Sequence, residues 1–180
     1  HREALACRRN ILTGDRLPVA ESLYNLAVVL RDAGKLAEAE EDFRKSLEMR
    51  RRLLGTADAS VARTVHHLAD VLERLNDVAG LESLFREELT NAMSRSPNKP
   101  LLASDPVYAI VDVLLAKNQY GQVDQLVRDL LAPAIQKAPE NVGLLRTRGE
   151  SFARRGRWSE AAADLARVIK LDPETHDPWY

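Results

Sequence analysis

Residues 21–55 and 63–89 carry the same apolar pattern forty-two positions apart, and this periodicity limits the fold more tightly than composition does. Leu26, Ala27, Leu30, Phe43 and Leu47 of the first copy fall on Leu68, Ala69, Leu72, Phe85 and Leu89 of the second. A further step of 42 lands on Ile110, Val111, Leu114, Val127 and Leu131, and a backward step sets residues 1–12 on 43–54. The register survives four placements without a gap. A chain of this kind is a row of small supersecondary units, each too small to bury its own apolar face except against its neighbours.

The spacing inside one copy says what the unit is. Leu23, Leu26, Ala27 and Leu30 stand at i, i+3, i+4 and i+7, which draws one apolar stripe on a helix. Gly34 then supplies a chain reversal, and Leu36, Ala39, Phe43, Leu47 and Leu54 stripe a second helix. Asn76 and Asn118 occupy the turn slot in the next two copies, and asparagine tolerates the left-handed conformation better than most residues. The second helix of a 42-residue copy is predicted to be long, running through "EMRRRLLG" (48–55) to a turn at "TADAS". Pro133 falls inside such a helix and should distort it. The stretch 94–100, "SRSPNKP", reads as a loop. Arg148 stands in an apolar slot, which predicts a snorkelling side chain or an acidic partner. Composition agrees with helices: Ala, Leu, Arg and Glu abound and only 5% of residues are aromatic.

The last copy, 144–173, is shorter. Its Gly149, Phe152, Gly156, Ala161, Leu165 and Pro173 resemble the tetratricopeptide repeat pattern W-x2-L-G-x2-Y…A-x3-F…P, and Trp179 stands in the tryptophan slot of a further copy. The 42-residue copies, with "EAEEDFRKSLEMRRRLLG" (38–55), are similar to the longer repeats of kinesin light chain. The resemblance implies an all-α fold, a right-handed α-solenoid of antiparallel helix pairs forming one array over 1–180. Its expected parts are a partial repeat at 1–14, repeats at 20–57, 61–95, 103–138 and 141–174, and the start of another at 175–180. The tail 154–180 also looks like repeats that follow bacterial serine/threonine kinase domains, and arginine outnumbers lysine as in GC-rich bacteria.

Little in the chain suggests catalysis. "TVHHLADVLE" (64–73) gathers two histidines and two acids, but neighbouring residues on a helix point about 100° apart, so His66 and His67 do not share an ion easily. His66 and Asp70 share a face and give two ligands where zinc wants three or four. There is no H-E-x-x-H, G-x-S-x-G or phosphate-cradling glycine loop, and Cys7, the single cysteine, occupies the slot of Met49. No catalytic residue, metal ligand or cofactor is therefore expected. The formal net charge of −1 gives no global attraction to nucleic acid or anionic membrane. The basic runs 49–54 and 153–157 lack interleaved aromatics. No apolar stretch approaches the ~18 residues of a membrane span. A cytoplasmic protein is expected.

Superposing the first helices of each pair gives three columns on the wall they would form. The first is Tyr24, His66, Tyr108 and Arg146; the second Asn25, His67, Ala109 and Thr147; the third Val28, Asp70, Asp112 and Glu150. Rings, hydrogen-bonding groups and repeated acids on a concave wall suit an extended peptide. Tetratricopeptide clamps for a C-terminal carboxylate use lysine and asparagine in such columns, so the acids here point to a polar or basic segment instead. The competing reading is that these acids pair internally with Arg31, Arg63 and Arg146. The expected function is a non-catalytic protein–protein interaction module, an adaptor or scaffold. The alternatives are a regulatory appendage of a larger enzyme such as a kinase, or self-association through end helices. If His66 and His67 touch the partner, binding should vary between pH 5 and 8.

Overall fold

The computed structural model describes residues 16–94 and 106–173, and every regular element among them is helical. In order these are α1 (Leu17–Asp32), α2 (Leu36–Leu54), α3 (Ala59–Arg74), α4 (Val78–Ser94), α5 (Pro106–Ala116), α6 (Tyr120–Leu126), α7 (Ala132–Lys137), α8 (Val142–Ala153) and α9 (Trp158–Leu171). The expected elements at 1–14 and 175–180, with Cys7 and Trp179, lie outside the described residues, as does most of the 94–100 loop. The chain divides into two compact units, His1–Leu81 and Glu82–Tyr180.

All fifteen apolar positions of the three 42-residue placements are buried, from Leu26 to Leu131. Their burial is the main force holding each pair of helices together, at about 25 cal/mol per Å² of apolar surface removed from water. The turns repeat too. Gly34, Asn76, Asn118 and Gly156 all have positive φ, between 56° and 77°. At each the following amide donates five residues back: Lys35 to the Leu30 carbonyl, Asp77 to Leu72, Gln119 to Leu114 and Arg157 to Phe152. The turn residue itself donates three residues back. This is the Schellman arrangement, four times over, and it satisfies carbonyls that the helix end would otherwise strand.

Helix α2 runs 19 residues and α9 only 14, so the longer period is taken up in the second helix as its sequence suggests. Asp58 caps α3 by accepting from the Ser60 amide at 2.8 Å. Asn141 caps α8 through the Leu144 amide and also donates to the Ala92 carbonyl of α4. Pro133 is met by a π-helical segment, Val127–Leu131, between α6 and α7. Proline cannot donate to the carbonyl four residues back, and the wider turn upstream absorbs the mismatch. Gly149 lies where α8 and α9 touch: a Cβ there would fall 2.9 Å from the Leu165 Cγ.

Candidate functional site

In the first unit, α1 and α3 meet through their column residues. His67 stacks on Phe43 with ring centroids 5.8 Å apart and leans on Tyr24 at 5.5 Å. Its Nδ1 accepts a hydrogen bond from the Arg31 guanidinium at 2.6 Å. Burial first, and then the Arg31 charge, push His67 down to about 4. The ring is therefore neutral at physiological pH, and its titration lies below the pH 5–8 window expected from sequence. His67 works as a packing residue between two helices, with only part of its edge left for a partner. His66 sits against it edge-on at 5.6 Å and is half-buried. Asn25 is exposed, and Val28 and Asp70 are half-buried.

Behind these residues lies a group the sequence reading missed. Arg50, from the basic run 49–54, is only 3% exposed. It donates to the Ser60 carbonyl at 2.9 Å and the Thr64 hydroxyl at 3.0 Å, and its guanidinium sits 4.5 Å from the Tyr24 ring centre. Its slot in the heptad-like stripe of α2, one helical turn past Ser46, was the available signal. Ser46 is itself buried and donates to the Ala20 carbonyl at 2.7 Å. A run of three arginines thus splits between interior and surface, which removes Arg50 from any exposed basic patch.

In the second unit α5 and α8 carry a compact charged network. Arg154 ion-pairs with Asp112 and donates to the Tyr108 hydroxyl at 3.4 Å. Glu150 pairs with Arg146 at 3.4 Å and accepts from Tyr108. Burial raises the Glu150 pKa, with Arg146 pulling it back. Burial likewise raises that of Tyr108, while the bond to Asp112 raises that of Arg154. The two acids of the third column therefore already have guanidinium partners. Glu150 takes Arg146, as the internal-pairing reading expects, and Asp112 takes Arg154, an arginine one period along the chain. Ala109 is half-buried and Thr147 is buried, so the second column offers little side chain here.

Arg148 meets an acid. Its Nε and Nη2 donate to the two oxygens of Asp164 at 2.6 and 2.7 Å, and the Asp164 side chain is only 5% exposed. Among the described residues no group of three His, Cys, Asp or Glu side chains could hold a metal ion, and no helix is long and apolar enough to cross a membrane.

Two models of the tetratricopeptide repeat match the chain, over residues 19–59 and 147–175. Among solved structures, the chain is similar to a Podosopora anserina protein assigned as a kinesin light chain with nearly identical TPR-like repeats. That likeness has a TM-score of 0.50 at 17% identity, over 98% of this chain and 85% of that one. A single-substitution variant of that protein aligns with the same score and identity over 97% and 84%. Among curated proteins none matches the chain significantly.

Proposed function

From the tetratricopeptide repeat matches at 19–59 and 147–175 and the paired-helix fold, we propose that the chain is a non-catalytic interaction module that binds a peptide segment of a protein partner on the first helices of its pairs. The observation that carries this reading is the difference between the two faces of the first helices. On α1 and α3 the Leu26, Ala27, Leu30 and Leu68, Ala69, Leu72 stripes are buried, while Tyr24, Asn25, Val28, His66 and Asp70 keep surface on the opposite side. These are rings, amides and carboxylates, the groups that hold an extended peptide by stacking and hydrogen bonding. In the second unit Tyr108, Asp112, Arg146 and Glu150 play the corresponding part, with charges balanced in advance. A partner there is recognised by exchanging hydrogen bonds within the network more than by net attraction, so its affinity should depend only weakly on salt.

The repeat spans 20–57, 61–95, 103–138 and 141–174 are the units of this module, and a cytoplasmic setting fits its composition. The test is selection of binders from a random-peptide display library, followed by affinity measurements on Tyr24→Ala, His66→Ala and Tyr108→Ala. Loss of affinity at these positions, with unchanged circular dichroism, is the expected result. Unchanged affinity at all three overturns the assignment of this face.

A further inference from the structure

The second helix of each pair carries the same surface slots, and α9 fills them differently. One slot holds Glu40, Glu82, Asp124 and Ala162, at two steps of 42 and one of 38. The slot one turn on holds Arg44, Arg86, Arg128 and Ala166. In α2 and α4 these residues form surface ion pairs, Glu40 with Arg44 at 2.8 Å and Glu82 with Arg86. In α9 both slots are exposed alanines, Ala163 between them is exposed, and Trp158 one turn back is 69% exposed.

Helix α9 is thereby apolar around most of its circumference. Ala161 and Val168 are buried, Leu165 and Ile169 continue the Phe43 and Leu47 slots, and Trp158, Ala162 and Ala166 widen the arc further. A helix apolar on so many sides is stable only when it is covered. The Phe43 and Leu47 slots lie under α3 in the first unit, so a following helix suits Leu165 and Ile169. It does not suit the arc beyond them, because Arg44 stays in water although α3 packs on α2. The one charge on that outer arc is Lys170, which is exposed and forms no ion pair among the described residues.

We propose that the chain pairs with a second copy of itself through this arc, α9 lying antiparallel on α9. Ala162 of each copy meets Ala166 of the other, and side chains this small let the two helix axes approach closely. The same register sets Trp158 opposite Lys170 of the second copy, where an ammonium meets the face of an indole. Parallel alignment would set lysine against lysine, and only the antiparallel one opposes the two helix dipoles. The pairing lies on the second helix and is independent of the peptide reading of the first helices. One helix of 14 residues makes a small interface. It falls short of the roughly 1,200 Å² buried in stable complexes, so the dimer is weak, with a Kd of about 10–100 μM.

The test is sedimentation equilibrium of the whole chain from about 1 to 300 μM, a range that brackets this Kd. Ala162→Lys/Ala166→Lys and Ala162→Glu/Ala166→Glu, checked for folding by circular dichroism, should each weaken association at least about tenfold. An equimolar mixture of the two variants should recover it. Lys170→Gln should weaken association about fivefold in the native chain and have no effect in a Trp158→Leu background. Within one copy these two residues stand about 18 Å apart along the helix, so only a second copy can couple them. A monomer at every concentration overturns the proposal and leaves the arc to a different protein. So does a lysine pair that lowers thermal stability at unchanged monomer mass, which would assign the arc to a following segment of this chain. A dimer indifferent to the lysine pair uses another surface and also overturns it. No recovery on mixing, or additive effects at Trp158 and Lys170, overturns the antiparallel pairing.

Discussion

Arg148→Leu should destabilise the α8–α9 pair far more than its surface position suggests. The arginine side chain is 21% exposed, but its partner Asp164 is 5% exposed and takes both of its carboxylate hydrogen bonds from this one guanidinium. Leucine suits the slot sterically, since other copies hold apolar residues there, so the cost is almost entirely that of stranding a buried carboxylate. Breaking such a pair from one side costs about 3–5 kcal/mol. Water reaches the arginine side, which places the expectation near the lower end, about 3 kcal/mol. In a repeat protein the loss stays local, so α8 and α9 should open before the rest. The assay is urea unfolding by far-UV circular dichroism, with amide exchange read separately for 142–171. The double variant Arg148→Leu/Asp164→Leu removes the stranded charge and should recover most of the loss. A single variant costing under ~1 kcal/mol, or a double variant as unstable as the sum of its parts, would refute the argument.

Further expectations concern the turns, the packing glycine and the neutral histidine. Asn76→Ala and Asn118→Ala should each cost about 1–2 kcal/mol, because both residues hold φ near +57°, and the glycine variants should cost almost nothing; equal effects of alanine and glycine would argue against backbone strain. Gly149→Ala should cost about 1–3 kcal/mol, read by urea midpoint, since the added methyl meets Leu165 at 2.9–3.0 Å. His67 is held neutral in the fold, with its pKa at about 4 against an ordinary 6.5. The unfolded chain therefore binds the extra proton first, so stability is fully present above pH 6.5 and falls as pH drops from 6.5 towards 4. His67→Gln should flatten that part of the stability profile, and a His67 imidazole titrating near 6.5 by NMR would contradict the burial account.

The sequence carried the repeating parts of the structure because each is a local rule applied at a fixed interval. Fifteen apolar slots, four left-handed turns and the long α2 follow from spacing and residue type at single positions. Arg148 could be recognised as a misfit in its slot, but Asp164 could not be named, since its place beside Arg148 depends on how α9 leans on α8. Asp112 and Arg154 were hidden for a similar reason. Arginine side chains reach across a helix pair, so Arg31, Arg63 and Arg146 were equally good partners on paper. Burial of Arg50 was hidden by its neighbours, because a run of three arginines reads as surface until the helix phase divides it. His67 reads as a recognition residue on its helix face, and its packing against Phe43 and Arg31, which leaves it half-buried, depends on how the helices meet.

The central claim is that the exposed sides of the first helices bind a peptide, and backbone amide shifts tested with a display-selected peptide address it directly. The shifted amides are expected to cluster around Tyr24, Asn25, His66 and Asp70 in the first unit, or around Tyr108, Asp112, Arg146 and Glu150 in the second. Shifts confined to α2, α4 and α9, with these residues silent, would contradict it.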